Sequence, residues 1–147
     1  MSAIQSTYKE NIEPYVVGQL INAEASTLVS RTTVGALPFG RPVSPDAAGD
    51  RSVHLTTTGD TKVEGISVIN AAAKSADGNS YADGDDAAIM RKGLIPVLTE
   101  GAVNRGDPVT VTAATGTFTT GTGIAVAAVY RTTLGAAGIA LIDINIP

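Results

Sequence analysis

Short apolar segments separated by turn chemistry run the length of this chain. In its last third Gly106-Asp107-Pro108 breaks the chain, and Val109-Thr110-Val111-Thr112 follows with an apolar residue at every second position. Thr115-Gly116-Thr117-Phe118 turns it again, and Ile124 to Tyr130 is the next β-prone run. Gly135 and Gly138 interrupt, and Ile139 to Ile146 closes the chain. Side chains alternate across a strand. Ala140, Ile142, Ile144 and Ile146 therefore share one face, predicted to be core. Ile139, Leu141, Asp143 and Asn145 share the other, which turns polar toward an edge or interface.

The same reading extends upstream. Tyr15 to Ile21 is β-prone around Gly18, where a glycine marks a bulge or a close backbone approach. Thr27 to Val34 is rich in β-branched residues and reads as a strand. Pro38, Pro42 and Pro45 exclude a helix. Ser44 to Arg51 reads as a loop, Val53 to Thr58 as a strand, Gly59-Asp60 as a turn and Val63 to Asn70 as a central strand. Residues 74–86 read as an exposed internal loop that presents Tyr81. Asp86 to Lys92 carries a short-helix signature, but its length favours a strand. Leu94 to Thr99 is a strand whose Pro96 suits an edge or a bulge. Many short strands with turns between them predict an all-β fold, a single compact barrel or sandwich over residues 14–147, with residues 1–13 as an extended N-terminal arm.

Composition narrows the function. The 147 residues fit one domain. The absence of cysteine excludes disulfides and thiolate chemistry. Net charge is −4 with only 16% charged residues, and the basic residues are scattered, which argues against nucleic-acid binding. Aromatics are too sparse for a base-stacking platform. No apolar run approaches the ~20 residues of a membrane span, and Met1 to Glu13 lacks the apolar stretch of a signal peptide. With 44% apolar residues and so little charge, part of the apolar surface is expected to face a partner.

Chemistry-bearing patterns are thin. His54 is the sole histidine, so any His-dependent base must use it, and a structural or surface role is expected. Asp77, Asp83, Asp85 and Asp86 form the densest acidic cluster, but the EF-hand frame places Ala88 or Leu94 where it needs glutamate. Gly121-Thr122-Gly123 precedes a strand and lacks the third glycine of a dinucleotide fingerprint. Arg105-Gly106-Asp107 matches an adhesion tripeptide but is also good turn chemistry. No Gly-x-Ser-x-Gly elbow occurs. No catalytic, metal or cofactor residues are therefore assigned. Arginine is enriched at interface hot spots, so Arg31, Arg41, Arg91, Arg105 and Arg131 are interface candidates. Phe39, held between Pro38 and Gly40, is either a core plug or an interface anchor and joins them, as do Tyr8 and Ile12 of the arm.

Several motifs in order carry a resemblance. Val29-Ser30-Arg31, Leu37-Pro38-Phe39-Gly40-Arg41-Pro42-Val43, Gly65-Ile66-Ser67-Val68 and Asp86 to Gly93 mark the first part. Val97, Gly101, Gly106-Asp107-Pro108-Val109, Thr115-Gly116 and Gly138 to Ile142 mark the rest. Together they resemble the small capsid cement proteins of tailed phages, from about Tyr15 to the end of the chain. The resemblance implies a non-enzymatic protein, made in the host cytoplasm, that sits on the outer face of an expanded virus head. It implies the major capsid protein as partner and self-association as a homotrimer, with a dimer also open. A receptor- or carbohydrate-binding β-module is the alternative, and it would depend on an exposed aromatic such as Tyr81.

Overall fold

The β-branched and glycine-bounded runs pair as the alternation predicts. The computed structural model describes residues 17–19, 26–69 and 80–147. In chain order its strands are β1 (Thr27–Thr33), β2 (Leu37–Pro38), β3 (Pro42–Pro45), β4 (Ser52–Leu55), β5 (Gly65–Ser67), β6 (Ser80–Tyr81), β7 (Asp86–Thr99), β8 (Pro108–Thr112), β9 (Thr117–Thr119), β10 (Ile124–Tyr130) and β11 (Gly138–Asn145). There is no helix among the described residues, and the fold is all-β. Asp86 to Lys92 and Leu94 to Thr99 form one continuous strand, β7, through Gly93.

β7 is shared by two rings. One runs β1-β4-β3-β5-β7 and closes where β1 pairs back onto β7. The other runs β7-β11-β10-β8-β9 and closes through the parallel pairing of Thr99 with Phe118. Each ring has its own apolar filling. Leu37, Val43, Val53, Tyr81, Ala87 and Ile89 fill the first. The larger cluster includes Ile95, Val97, Val111, Phe118, Tyr130, Ala140, Ile142 and Ile144. All four residues expected on the core face of the last strand are buried.

A bulge lets one strand serve both cores. Leu28 pairs with Met90 but Thr27 with Lys92, so β7 carries an extra residue there. One inserted residue exchanges the two faces of a strand. Ala87 and Ile89 thus point into the first core, and Ile95 and Val97 into the second.

Pro96 lies in a stretch of β7 that pairs with β11 on one side and with no strand of the described residues on the other, a local edge of the kind its sequence suited, and the hydrogen bonds explain why it is tolerated. Its carbonyl accepts from Gly18 N at 2.9 Å. The N and C=O of a strand residue in an antiparallel sheet face the same side. The nitrogen that lacks a hydrogen therefore faces the Val17-Gly18 turn and not β11. Gly18 makes the close approach its sequence suggested: a Cβ there would lie 2.7 Å from Gly40 N.

Val63, Ile66 and Val68 are buried as a central strand should be, although pairing is confined to Gly65–Ser67. Tyr81 corrects the sequence reading. Its segment pairs with Leu37-Pro38, the ring is 1% exposed, and its hydroxyl donates to Val68 O at 2.6 Å. Phe39 meets it edge to face at 5.1 Å, and this aromatic pair seals the end of the first core. Residues 82–86 of the expected loop are exposed or half-buried, while residues 74–79 lie outside the described residues, as do the N-terminal arm and most of the Tyr15 to Ile21 run.

Candidate capsid-binding surface

The rings leave one broad sheet face turned outward. Opposite the buried Ile95 and Val97, strand alternation places Leu94, Pro96 and Leu98 on this face of β7, where Leu98 is exposed, Leu94 half-buried and Pro96 itself buried. They pair with Asp143, Leu141 and Ile139 of β11. Val129 of β10 lies across from Asp143 on the same face. Leu98 is 51% and Val129 42% exposed. Arg131 closes one flank through its ion pair to Asp143 at 2.6 Å. Beside it a shallow groove of about 520 Å³ runs between Lys92-Gly93, Ala127 to Val129 and Asp143 to Asn145. The second face of the last strand, expected to emerge at an edge or an interface, forms part of this surface. Leu98 and Val129 were missed, and their signal was an apolar residue on the face opposite the core.

The predicted arginines do not converge. Arg31 Nε donates to Glu64 at 2.9 Å. Arg41, in the turn between β2 and β3, donates from Nε to Gly116 O at 2.9 Å and from Nη2 to Thr115 O at 2.6 Å, which ties the two rings together. Burial lowers its pKa from the ordinary arginine value. Arg91 donates to Pro147 O. Arg105 is exposed, and its side chain has no partner among the described residues. Phe39 is half-buried against the first core. Tyr8 and Ile12 lie outside the described residues.

The remaining chemistry-bearing residues also have structural partners. His54 is held between two carboxylates, Nδ1 at 2.9 Å from Asp46 and Nε2 at 2.8 Å from Asp60. Those carboxylates also accept from Ala48 N and Thr57 N, so the ring ties two loops together. Asp83 accepts from Gly35 N and Asp85 from Ala82 N, and Asp77 lies outside the described residues. No group of three or more His, Cys, Asp or Glu side chains that could hold a metal occurs among the described residues. Asp107 folds back to accept from Asn104 N at 2.9 Å, which makes the Arg105-Gly106-Asp107 segment a self-capped turn.

At the turn end of the β8–β9 hairpin, Glu100 accepts from Thr117 at 2.5 Å and from Thr112 at 2.9 Å. The hydrogen bond from Thr117, then those from Thr112 and Thr119, lower its pKa against the opposing effect of burial. Tyr130 donates its hydroxyl to Thr119 O at 2.7 Å, and burial, then Glu100 and Asp107, raise its pKa. The described aromatics are Phe39, Tyr81, Phe118 and Tyr130, and each is buried or half-buried. The sugar-stacking role imagined for Tyr81 therefore loses its residue.

Comparison with known proteins agrees with this architecture. No curated protein sequence matches the chain. A chain from the capsid of Myoviridae phage XM1 superposes with a TM-score of 0.74 at 18% identity, covering 98% of both chains. The head fibre gp8.5 N base of bacteriophage phi29 superposes with a TM-score of 0.54 at 12% identity, covering 82% of this chain and 95% of that one. At such identities these likenesses speak to the fold. The family described as structural cement protein (E217 gp24/Pam3 gp6) matches residues 4–145. The chain belongs to that family of phage structural cement proteins, and its role is a structural one on the virus capsid.

Proposed function

We propose that this protein binds the outer surface of the expanded head and bridges neighbouring major capsid protein subunits against the pressure of packaged DNA. The observation that carries this reading is the outward face of β7, β11 and β10, where Leu98 and Val129 are exposed beside Leu94, Ile139 and Leu141. Aliphatic area of this kind on a small, weakly charged protein is suited to a partner surface. The mechanism is mechanical and not catalytic. Each seam the protein bridges adds buried interface that rupture must expose, and a stable interface buries on the order of 1,000 Å² or more. Several such contacts act together through effective concentration when the protein is a homotrimer. Binding to the expanded shell alone would favour that state by linkage. Residues 1–13 are proposed to reach onto a neighbouring subunit, and synthesis is proposed to take place in the host cytoplasm before the protein joins the shell.

The test is capture on emptied expanded heads. The parent chain should co-sediment with heads and raise the temperature at which they break. Leu98→Asp and Val129→Asp place charge on the outward face without touching either core. Both should fold, and both should lose most of the capture. Equal capture of both variants would show that this face is not the binding surface.

A further inference from the structure

Among the described residues, β1 of the first ring has an unfinished edge. It pairs with β7 from Thr27 to Thr32, but β4 joins its other side only at Thr32 and Thr33. Backbone directions follow from two bonds. Thr32 N donates toward β4, to Arg51 O at 2.8 Å, and Thr33 N donates the other way, to Asp85 O at 2.9 Å. These directions alternate along an antiparallel strand. Ser30 and Leu28 therefore turn their N–H and C=O away from β7, into the open edge. The N–H of Ser30 and both backbone groups of Leu28 have no partner there among the described residues. Leu28 is 41% exposed. Its side chain borders a shallow groove of about 310 Å³ over Asp86 to Ala88.

Arginine covers the remaining acceptor. Ser30 O accepts from Arg31 Nη1 at 3.0 Å and from Arg51 Nη2 at 3.2 Å. Arg31 is already paired with Glu64. Arg51 has no carboxylate partner among the described residues, so its charge rests on a neutral carbonyl. Charged side chains on an edge strand discourage unwanted pairing. They also select a strand that brings the opposite charge.

We propose that the edge over Leu28 to Ser30 accepts an extended, carboxylate-bearing segment of the major capsid protein as an added strand. This rests on the cement reading above. The incoming carboxylate takes Arg51 from Ser30 O, and the freed carbonyl joins the new ladder with the Ser30 N–H and the Leu28 backbone. Main-chain bonds then supply affinity, and Arg51 supplies selectivity. A second copy of this chain suits the edge less well. Antiparallel pairing of two β1 edges about a twofold axis would set Arg51 against its own counterpart.

Two variants of the full chain separate this idea from the general one. Leu28→Pro deletes an outward N–H and no bond to β7, a place where an edge strand tolerates proline. Arg51→Glu reverses the selecting charge. Capture on emptied expanded heads should weaken about tenfold or more for each, the effect of losing one or two such bonds. Melting temperature and light scattering should stay near those of the parent. Should Leu28→Pro unfold, Arg51→Glu decides. A photo-crosslinker at position 28 on loaded heads should join the capsid protein beside an Asp or Glu. If the parent is captured and Arg51→Glu binds equally well, or the crosslink joins a second copy of this chain, the edge proposal falls and the cement reading stands. If the parent is not captured at all, the cement reading itself falls.

Discussion

Replacing Arg41 with alanine removes two hydrogen bonds that cross between the rings. Nε and Nη2 hold the carbonyls of Gly116 and Thr115, and the backbone of Arg41 is itself locked to Ser67 by bonds of 3.0 and 3.1 Å. The β8–β9 turn they hold packs tightly on the first ring, since a Cβ on Gly116 would lie 2.8 Å from Thr56 O. A hydrogen bond from a charged donor contributes about 1.5–3 kcal/mol. The guanidinium is only half-buried and part of it faces water, so the low end applies to each bond. The expected loss is about 2–3 kcal/mol, or roughly 5–10 °C in melting temperature for a chain of this length. Arg41→Lys keeps the charge but cannot serve both carbonyls in the fork geometry, and should recover about half of the loss. Thermal unfolding followed by circular dichroism, with head capture measured well below the transition, is the assay. An unchanged melting temperature with abolished capture would refute the reasoning and make Arg41 a partner contact.

Gly65→Ala should destabilise by about 1–3 kcal/mol through overpacking, because its Cβ would meet Ile89 Cγ2 at 2.5 Å and Met90 O at 2.6 Å where β5 crosses β7. Gly101→Ala, with no atom within 4 Å and no left-handed φ, should show no fall in chemical denaturation. His54→Ala removes the bridge between Asp46 and Asp60. It should cost about 1–2 kcal/mol and speed hydrogen exchange in the loops on both sides of β4. Glu100 contributes to stability where it is ionised, because its folded pKa is depressed. That contribution is complete above the ordinary pKa of 4.5 and is lost as pH falls through the lower folded value. Glu100→Gln should flatten this acid limb of the melting profile, and an unaltered limb would remove the threonine bonds as its cause.

The legible parts of the fold were those governed by local alternation. Ala140 to Ile146 declares its buried face by period two, and Thr27 to Val34 declares itself a strand by its β-branched content. Pro96 read as suiting an edge or a bulge because sequence shows what a residue cannot do locally, not which neighbour lies beside it. Gly93 sits next to a face-exchanging bulge, and Pro96 points its bare nitrogen at Gly18. Tyr81 was misplaced for a related reason. Its partners, Phe39 and Val68, come from elsewhere in the chain, and the polar residues around it look like loop. The arginines show the same limit for function. Arg41 reaches carbonyls 74 and 75 residues away, a use no spacing rule detects. Arg51 carries no motif at all, and only the register of β1 with β4 and β7 brings it over Ser30.

The most direct measurement is the mass of the purified chain by light scattering behind a sizing column, alone and after mixing with emptied expanded heads. The account predicts a stable trimer that moves into the head peak and raises the temperature at which heads rupture. A chain that stays behind the heads at every concentration, and leaves their rupture temperature unchanged, would contradict it.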